Sequence, residues 1–63
     1  MTPYQRSELF AFLEACNEAS DDLPDGAWEA YIKDNIRWWL KENKAKGHDV
    51  HDLFIEFVEA SAS

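Results

Sequence analysis

The feature that most constrains the fold is an apolar stripe in residues 27–46, the only basic region of the chain. Its members recur at three- and four-residue steps, as the buried side of an α-helix does: Trp28, Tyr31, Ile32, Ile36, Trp39 and Leu40. At about 100° per residue, and with Trp38 at one flank, the stripe covers an arc of roughly 200°. One neighbour cannot bury so wide an arc. The stripe therefore predicts a central helix with a packing partner on each side.

The segments before and after this stripe supply the two partners. Thr2, Pro3 and Gln5 have the pattern of a helix start with a capping box, and apolar residues follow at helical spacing. Asp49 is the expected cap of the last helix, whose apolar stripe begins at Val50. We predict helices at about residues 3–19, 25–46 and 50–60, with Gly47 ending the second and residues 61–63 fraying.

Composition supports one compact domain. The chain has 63 residues, with three Trp, two Tyr and four Phe but only two Gly and two Pro. Large aromatic side chains each remove about 150–250 Å² from water, enough for a few of them to sustain a small core. The expected fold is all-α: a single domain over residues 1–63, formed as a three-helix bundle whose second helix is packed on two sides.

Charge and cysteine content exclude several classes of function. The net charge is −7, the reverse of the basic patch that DNA- or RNA-binding proteins carry, so neither nucleic acid nor an anionic membrane is an expected partner. All charged residues of the last helix are acids, which argues against a helix-turn-helix DNA-binding protein. Cys16 is the only cysteine, which excludes an intramolecular disulfide. With no apolar run long enough for a signal peptide or a membrane span, we expect a cytoplasmic protein.

Neither catalysis nor a cofactor is expected. The chain has no glycine-rich phosphate loop and no nucleophile motif. Cys16 shares the apolar stripe of the first helix, and nearby acidic charges are expected to raise the pKa of its thiol. His48, Asp49, His51 and Asp52 are close in sequence, but a structural zinc site usually needs four good ligands, often thiolates. We therefore predict a non-enzymatic protein without a metal.

The placement of the acids is the most informative functional signal. Residues 1–26 contain six acids and one base, residues 27–47 three acids and five bases, and residues 48–63 four acids and no base. Glu14 and Glu18 are like charges one helical turn apart, and Asp21 and Asp22 continue them past the negative end of the helix. Each such group costs typically ~0.3–1 kcal/mol. Glu56 and Glu59 repeat this arrangement near the end of the last helix.

Acids that oppose helix stability are candidates for binding, although an acidic side can also serve solubility alone. Asp52, Glu56 and Glu59 fall on one stripe at rises of about 6 and 4.5 Å, comparable with the spacing of backbone phosphates. Several anti-CRISPR and anti-restriction proteins of phages and mobile elements imitate a polyanion. This chain resembles them in size and charge, without a motif of any one family. The predicted partner is a basic protein surface, such as the groove of a nucleic-acid-binding effector. The predicted contact residues are Glu14, Glu18, Asp21, Asp22, Asp25, Asp52, Glu56, Glu59 and Trp38.

Trp38 supports a second reading. Consecutive helical residues point about 100° apart, so Trp38 and Trp39 cannot both face the same neighbour. Trp39 lies in the middle of the stripe and is expected in the core. Trp38, at the flank, is either core or a partly exposed anchor. In the second case the chain is a structural or regulatory adaptor, or a homodimer, that binds through the aromatic edge of its second helix.

Overall fold

The protein is a three-helix bundle, as predicted. The computed structural model describes residues 2–45 and 48–62, and for Asp25 the backbone alone. It contains α1 (Pro3–Ala19), α2 (Asp25–Glu42) and α3 (Val50–Ala62). Helix α2 contacts both other helices and so has the central position predicted for it.

Helix α1 begins with the predicted capping box. The Gln5 backbone N–H donates to Thr2 Oγ1, and the Thr2 N–H donates to Gln5 Oε1, both at 3.1 Å. Pro3 occupies the first turn, where its missing N–H is not needed. At the other end, the hydroxyl of the buried Ser20 donates to the Asn17 carbonyl at 2.7 Å. Both ends of α1 therefore satisfy otherwise unpaired backbone groups locally.

A side-chain hydrogen bond connects the end of α1 to the start of α2. Pro24 is the N-cap of α2, and the Leu23 N–H donates to the Ser20 carbonyl at 3.0 Å within the turn. The indole Nε1 of Trp28 donates to Asn17 Oδ1 at 2.8 Å. The sequence pattern predicted the turn, but not this hydrogen bond.

Helix α2 ends at Glu42, four residues before the predicted end at 46. Lys44 has a φ of 54°, in the left-handed region, and the Ala45 N–H donates to the Leu40 carbonyl at 3.0 Å. The Lys44 N–H donates to the Lys41 carbonyl at 3.3 Å, which completes a Schellman motif. Ala45 packs on the core, and this contact favours ending α2 before Ala45. Gly47, the predicted stop, lies outside the described residues.

Asp49 caps α3 as predicted. Its Oδ1 accepts from the backbone N–H of His51 at 2.8 Å and of Asp52 at 3.3 Å. The helix continues to Ala62, beyond the predicted end near 60, so residues 61 and 62 are helical where fraying was predicted. Phe54 contacts Trp28, with ring centroids 5.4 Å apart, and lies 5.3 Å from Lys33 Nζ. The start of α3 therefore lies beside the first half of α2.

The core is formed where the three helices meet. Trp39 is buried, as predicted, and Ile55 is exposed. Phe12, Cys16, Trp28 and Tyr31 are only partly buried at its edge. The buried apolar residues are Leu9, Leu13, Ile32, Ile36, Trp39, Leu40, Leu53, Phe54 and Phe57.

Candidate partner-binding surfaces

Four carboxylates at the end of α1 and in the following turn point into solvent. Glu14, Glu18, Asp21 and Asp22 are all exposed, and none has an ion-pair partner among the described residues. No base follows in the last turn of α1 to balance the negative end of the helix. This group, called here the α1 acids, is therefore uncompensated. The side chain of Asp25, also predicted to bind, lies outside the described part of the chain.

A seam between α1 and α3 joins residues that have acids within one helical turn on both helices. Arg6 Nη2 lies 2.9 Å from Glu56 Oε1, and the rings of Phe10 and Phe57 meet edge to face with centroids 5.9 Å apart. Glu14 follows Phe10 by one helical turn. On α3, Asp52 precedes Glu56 by one turn, and Glu59 follows it by three residues. Acidic side chains of both helices thus lie within one turn of the seam contacts.

Glu56 differs from the α1 acids because its carboxylate is in an ion pair. Arg6 also lies over the Phe10 ring, 5.1 Å from its centroid, and this holds the guanidinium at the seam. About half of each of the two paired side chains remains exposed. Sequence reasoning missed the pair. The available signal was that Arg6 is the only base in residues 1–26.

Trp38 lies on a different side of the molecule. Its side chain is 53% exposed, which settles the question of its burial, and its ring lies 5.5 Å from that of Phe12 at an angle of 30°. Phe10 and Phe12 are two residues apart, so they point about 160° away from each other around α1. Phe10 contacts α3, whereas Phe12 contacts α2. The predicted contact residues therefore form two surfaces rather than one.

The basic residues of α2 are partly neutralised within the molecule. Lys33 Nζ lies 2.8 Å from Glu29 Oε2, and Arg37 Nη1 lies 2.8 Å from Asp34 Oδ1. The hydrogen bond from Lys33, and then its positive charge, lower the pKa of the Glu29 carboxyl. These bases consequently do not compensate the α1 acids.

The Cys16 thiol is partly buried and hydrogen-bonded within the bundle. Burial raises the pKa of the Cys16 thiol, and a hydrogen bond with Tyr31 lowers it by less. The predicted direction is therefore confirmed, but its cause is burial rather than neighbouring carboxylates.

Near α3, the Asp49 carboxylate is engaged with backbone N–H groups. Within residues 2–45 and 48–62, no three potential metal ligands lie close enough together to hold an ion.

The described residues enclose no pocket. None of their helices combines the length and the apolar character that crossing a bilayer requires. The candidate surfaces are therefore open faces of the bundle.

Comparison with known proteins adds no family assignment. No protein-family model, curated protein or solved structure matches this chain.

Proposed function

We propose that this chain is a non-enzymatic binding protein that inhibits or regulates a larger nucleic-acid-binding protein. It does so by presenting carboxylates to the basic groove of that protein, in the manner of an anti-CRISPR or anti-restriction protein. The observation that carries the proposal is the set of four exposed α1 acids without ion-pair partners among the described residues. The bases Arg6, Lys33 and Arg37 pair with other acids, so this surface keeps its negative charge.

The position of these acids supports binding over a purely structural role. Like charges one turn apart repel each other, and acids near a helix C-terminus oppose the helix dipole. A solubilising charge does not require either arrangement, since the same number of carboxylates dispersed over the surface has the same effect on solubility. The predicted contact acids of α3 are Asp52, Glu56 and Glu59, of which Glu56 is paired with Arg6 at the α1/α3 seam. We infer that a basic groove contacts both helices.

The test compares two variants of equal net charge. The first carries Glu14→Gln, Glu18→Gln, Asp21→Asn and Asp22→Asn. The control carries four neutralising changes elsewhere: Glu8→Gln, Glu29→Gln, Asp34→Asn and Glu42→Gln. Each variant and the unaltered protein are used for affinity capture from cells of the native host, and the captured protein is then titrated with each. We expect the first variant to lose binding and the control to keep most of it, because position and not net charge determines the contact.

Two further measurements characterise the contact. Binding should weaken steeply as NaCl is raised, because exposed charge pairs are screened. The nucleic acid of the captured protein should compete with the unaltered chain. Thermal melting serves as the folding control, and the first variant should melt at the same temperature as the unaltered protein or slightly higher. Full binding by the first variant, or equal loss by the control, would contradict the proposal.

A further inference from the structure

An exposed aromatic patch lies at the seam between α1 and α2. It consists of Trp38, which is 53% exposed, and the partly buried Phe12, whose ring lies 5.5 Å from that of Trp38. The exposed Ala11 and Ala15 lie beside Phe12 on α1. Of the two neighbouring tryptophans, Trp39 is buried in the core and Trp38 lies largely outside it. Exposed Trp and Tyr side chains are typical of surfaces that dock another protein.

The charges around the patch indicate what covers it. Within one turn of Trp38, α2 carries two acids and two bases, Asp34, Arg37, Lys41 and Glu42, and on α1 the exposed Glu8 lies one turn before Phe12. In a two-fold contact the same surface meets itself, so it must complement itself. A surface with both signs can do this, because a base of one copy faces an acid of the other. The acidic surface at the α1/α3 seam cannot.

Repulsion between copies favours the same conclusion. Each chain has a net charge of −7, so two copies approach with least repulsion where the signs are mixed. A strongly basic partner, in contrast, is attracted to the α1 acids on the opposite flank of α1. We propose that the Phe12–Trp38 patch binds a second copy of this chain and forms a homodimer. This contact is separate from the surface of the proposed function and leaves that surface free.

The size of the molecule limits the strength of the dimer. An ordinary interface takes about 800 Å² from each partner, nearly a fifth of the 4449 Å² surface of this chain. Two aromatic side chains and two alanines cover less than that. We therefore expect a weak dimer in equilibrium with the monomer.

The experiment is sedimentation equilibrium from micromolar to millimolar concentration. The mass of the unaltered chain should rise from 7.3 kDa toward twice that value. Trp38→Ala should raise the dissociation constant at least about tenfold, because an interface tryptophan is a typical hot spot. Ile55→Ala is the matched control: Ile55 is also an exposed apolar residue, but it lies on α3. It should dimerise as the unaltered chain does.

Two further conditions test the electrostatic part of the argument. Lys41→Glu makes the surroundings of the patch acidic and should weaken the dimer at low salt. Added NaCl should leave the unaltered dimer as strong or make it stronger, since it screens repulsion between acidic copies. The variant lacking the four α1 acids should still dimerise, which separates this proposal from the proposed function. A monomeric mass at every concentration, or equal dimerisation of the Trp38 and Ile55 variants, would refute it.

Discussion

At the scale of single residues, Lys44 occupies a backbone conformation that suits glycine. Its φ of 54° closes the Schellman motif at the end of α2. In this region the Cβ of an L-residue approaches the following carbonyl oxygen, at a cost of roughly 1–2 kcal/mol. The chain therefore holds a strained residue where α2 leaves the helix.

Lys44→Gly should stabilise the protein. Relief of the strain exceeds the additional entropy that glycine loses on folding, about 0.4–1 kcal/mol, so we expect a net gain of about 0.5–1 kcal/mol. In a domain of this size that corresponds to a rise of a few degrees in Tm. Lys44→Ala removes the same charge and keeps the Cβ, so it should not stabilise. Equal melting temperatures for the two variants would show that the left-handed conformation carries no strain.

Gly26 presents the opposite case at the start of α2. It lies in the first helical turn, and a Cβ built there meets nothing within 4 Å. Gly26→Ala should stabilise the fold by about 0.4–1 kcal/mol, because alanine loses less backbone freedom on folding. The check is a denaturant titration, in which the midpoint should rise while the slope stays constant. A lower midpoint would show that the turn around Pro24 requires glycine.

At the scale of the helices, α2 determines whether the bundle forms. Trp39 is buried at its centre, next in sequence to the exposed Trp38. Trp39→Ala should cost about 3–5 kcal/mol. The whole stability of a 63-residue domain is about 3–9 kcal/mol, so the variant should be largely unfolded. Circular dichroism during heating provides the measurement.

Trp38→Ala is the natural control for this experiment. It removes the same side chain one position away, but from a site that is 53% exposed. It should melt cooperatively with a shift of a few degrees at most, measured at low concentration where the chain is monomeric. A barely shifted transition for Trp39→Ala would contradict the central role of α2.

The helices could be predicted from sequence because their signals are local. The apolar stripe of α2, the Thr2 capping box and the Asp49 cap each involve residues a few positions apart. The end of α2 was predicted wrongly because it was inferred from Gly47. Glycine often follows the end of a helix, but its presence does not determine where the helix ends. The actual end depends on a Lys44 conformation that few sequences adopt and on burial of Ala45 against the core.

At the scale of the whole molecule, the candidate surfaces were only half predictable. Net charge and the spacing of the acids make Glu14, Glu18, Asp52 and Glu59 candidates from the sequence alone, and their contact with a partner stays a prediction. The pairing of Glu56 with Arg6 depends on how α1 and α3 pack, since 50 residues separate the two. The exposure of Trp38 likewise depends on which flank of α2 each neighbour covers. One helical wheel cannot decide either question.

Two hydrogen bonds between different helices close loops of very different length. The bond between Asn17 and Trp28 spans 11 residues, whereas that between Arg6 and Glu56 spans 50. The entropic cost of closing a flexible loop grows with the logarithm of its length, so the longer closure costs about 1.3 kcal/mol more. We therefore expect α1 and α2 to pair early in folding and α3 to dock afterwards on the surface that this pair provides. The contact that completes the acidic surface is then among the last to form.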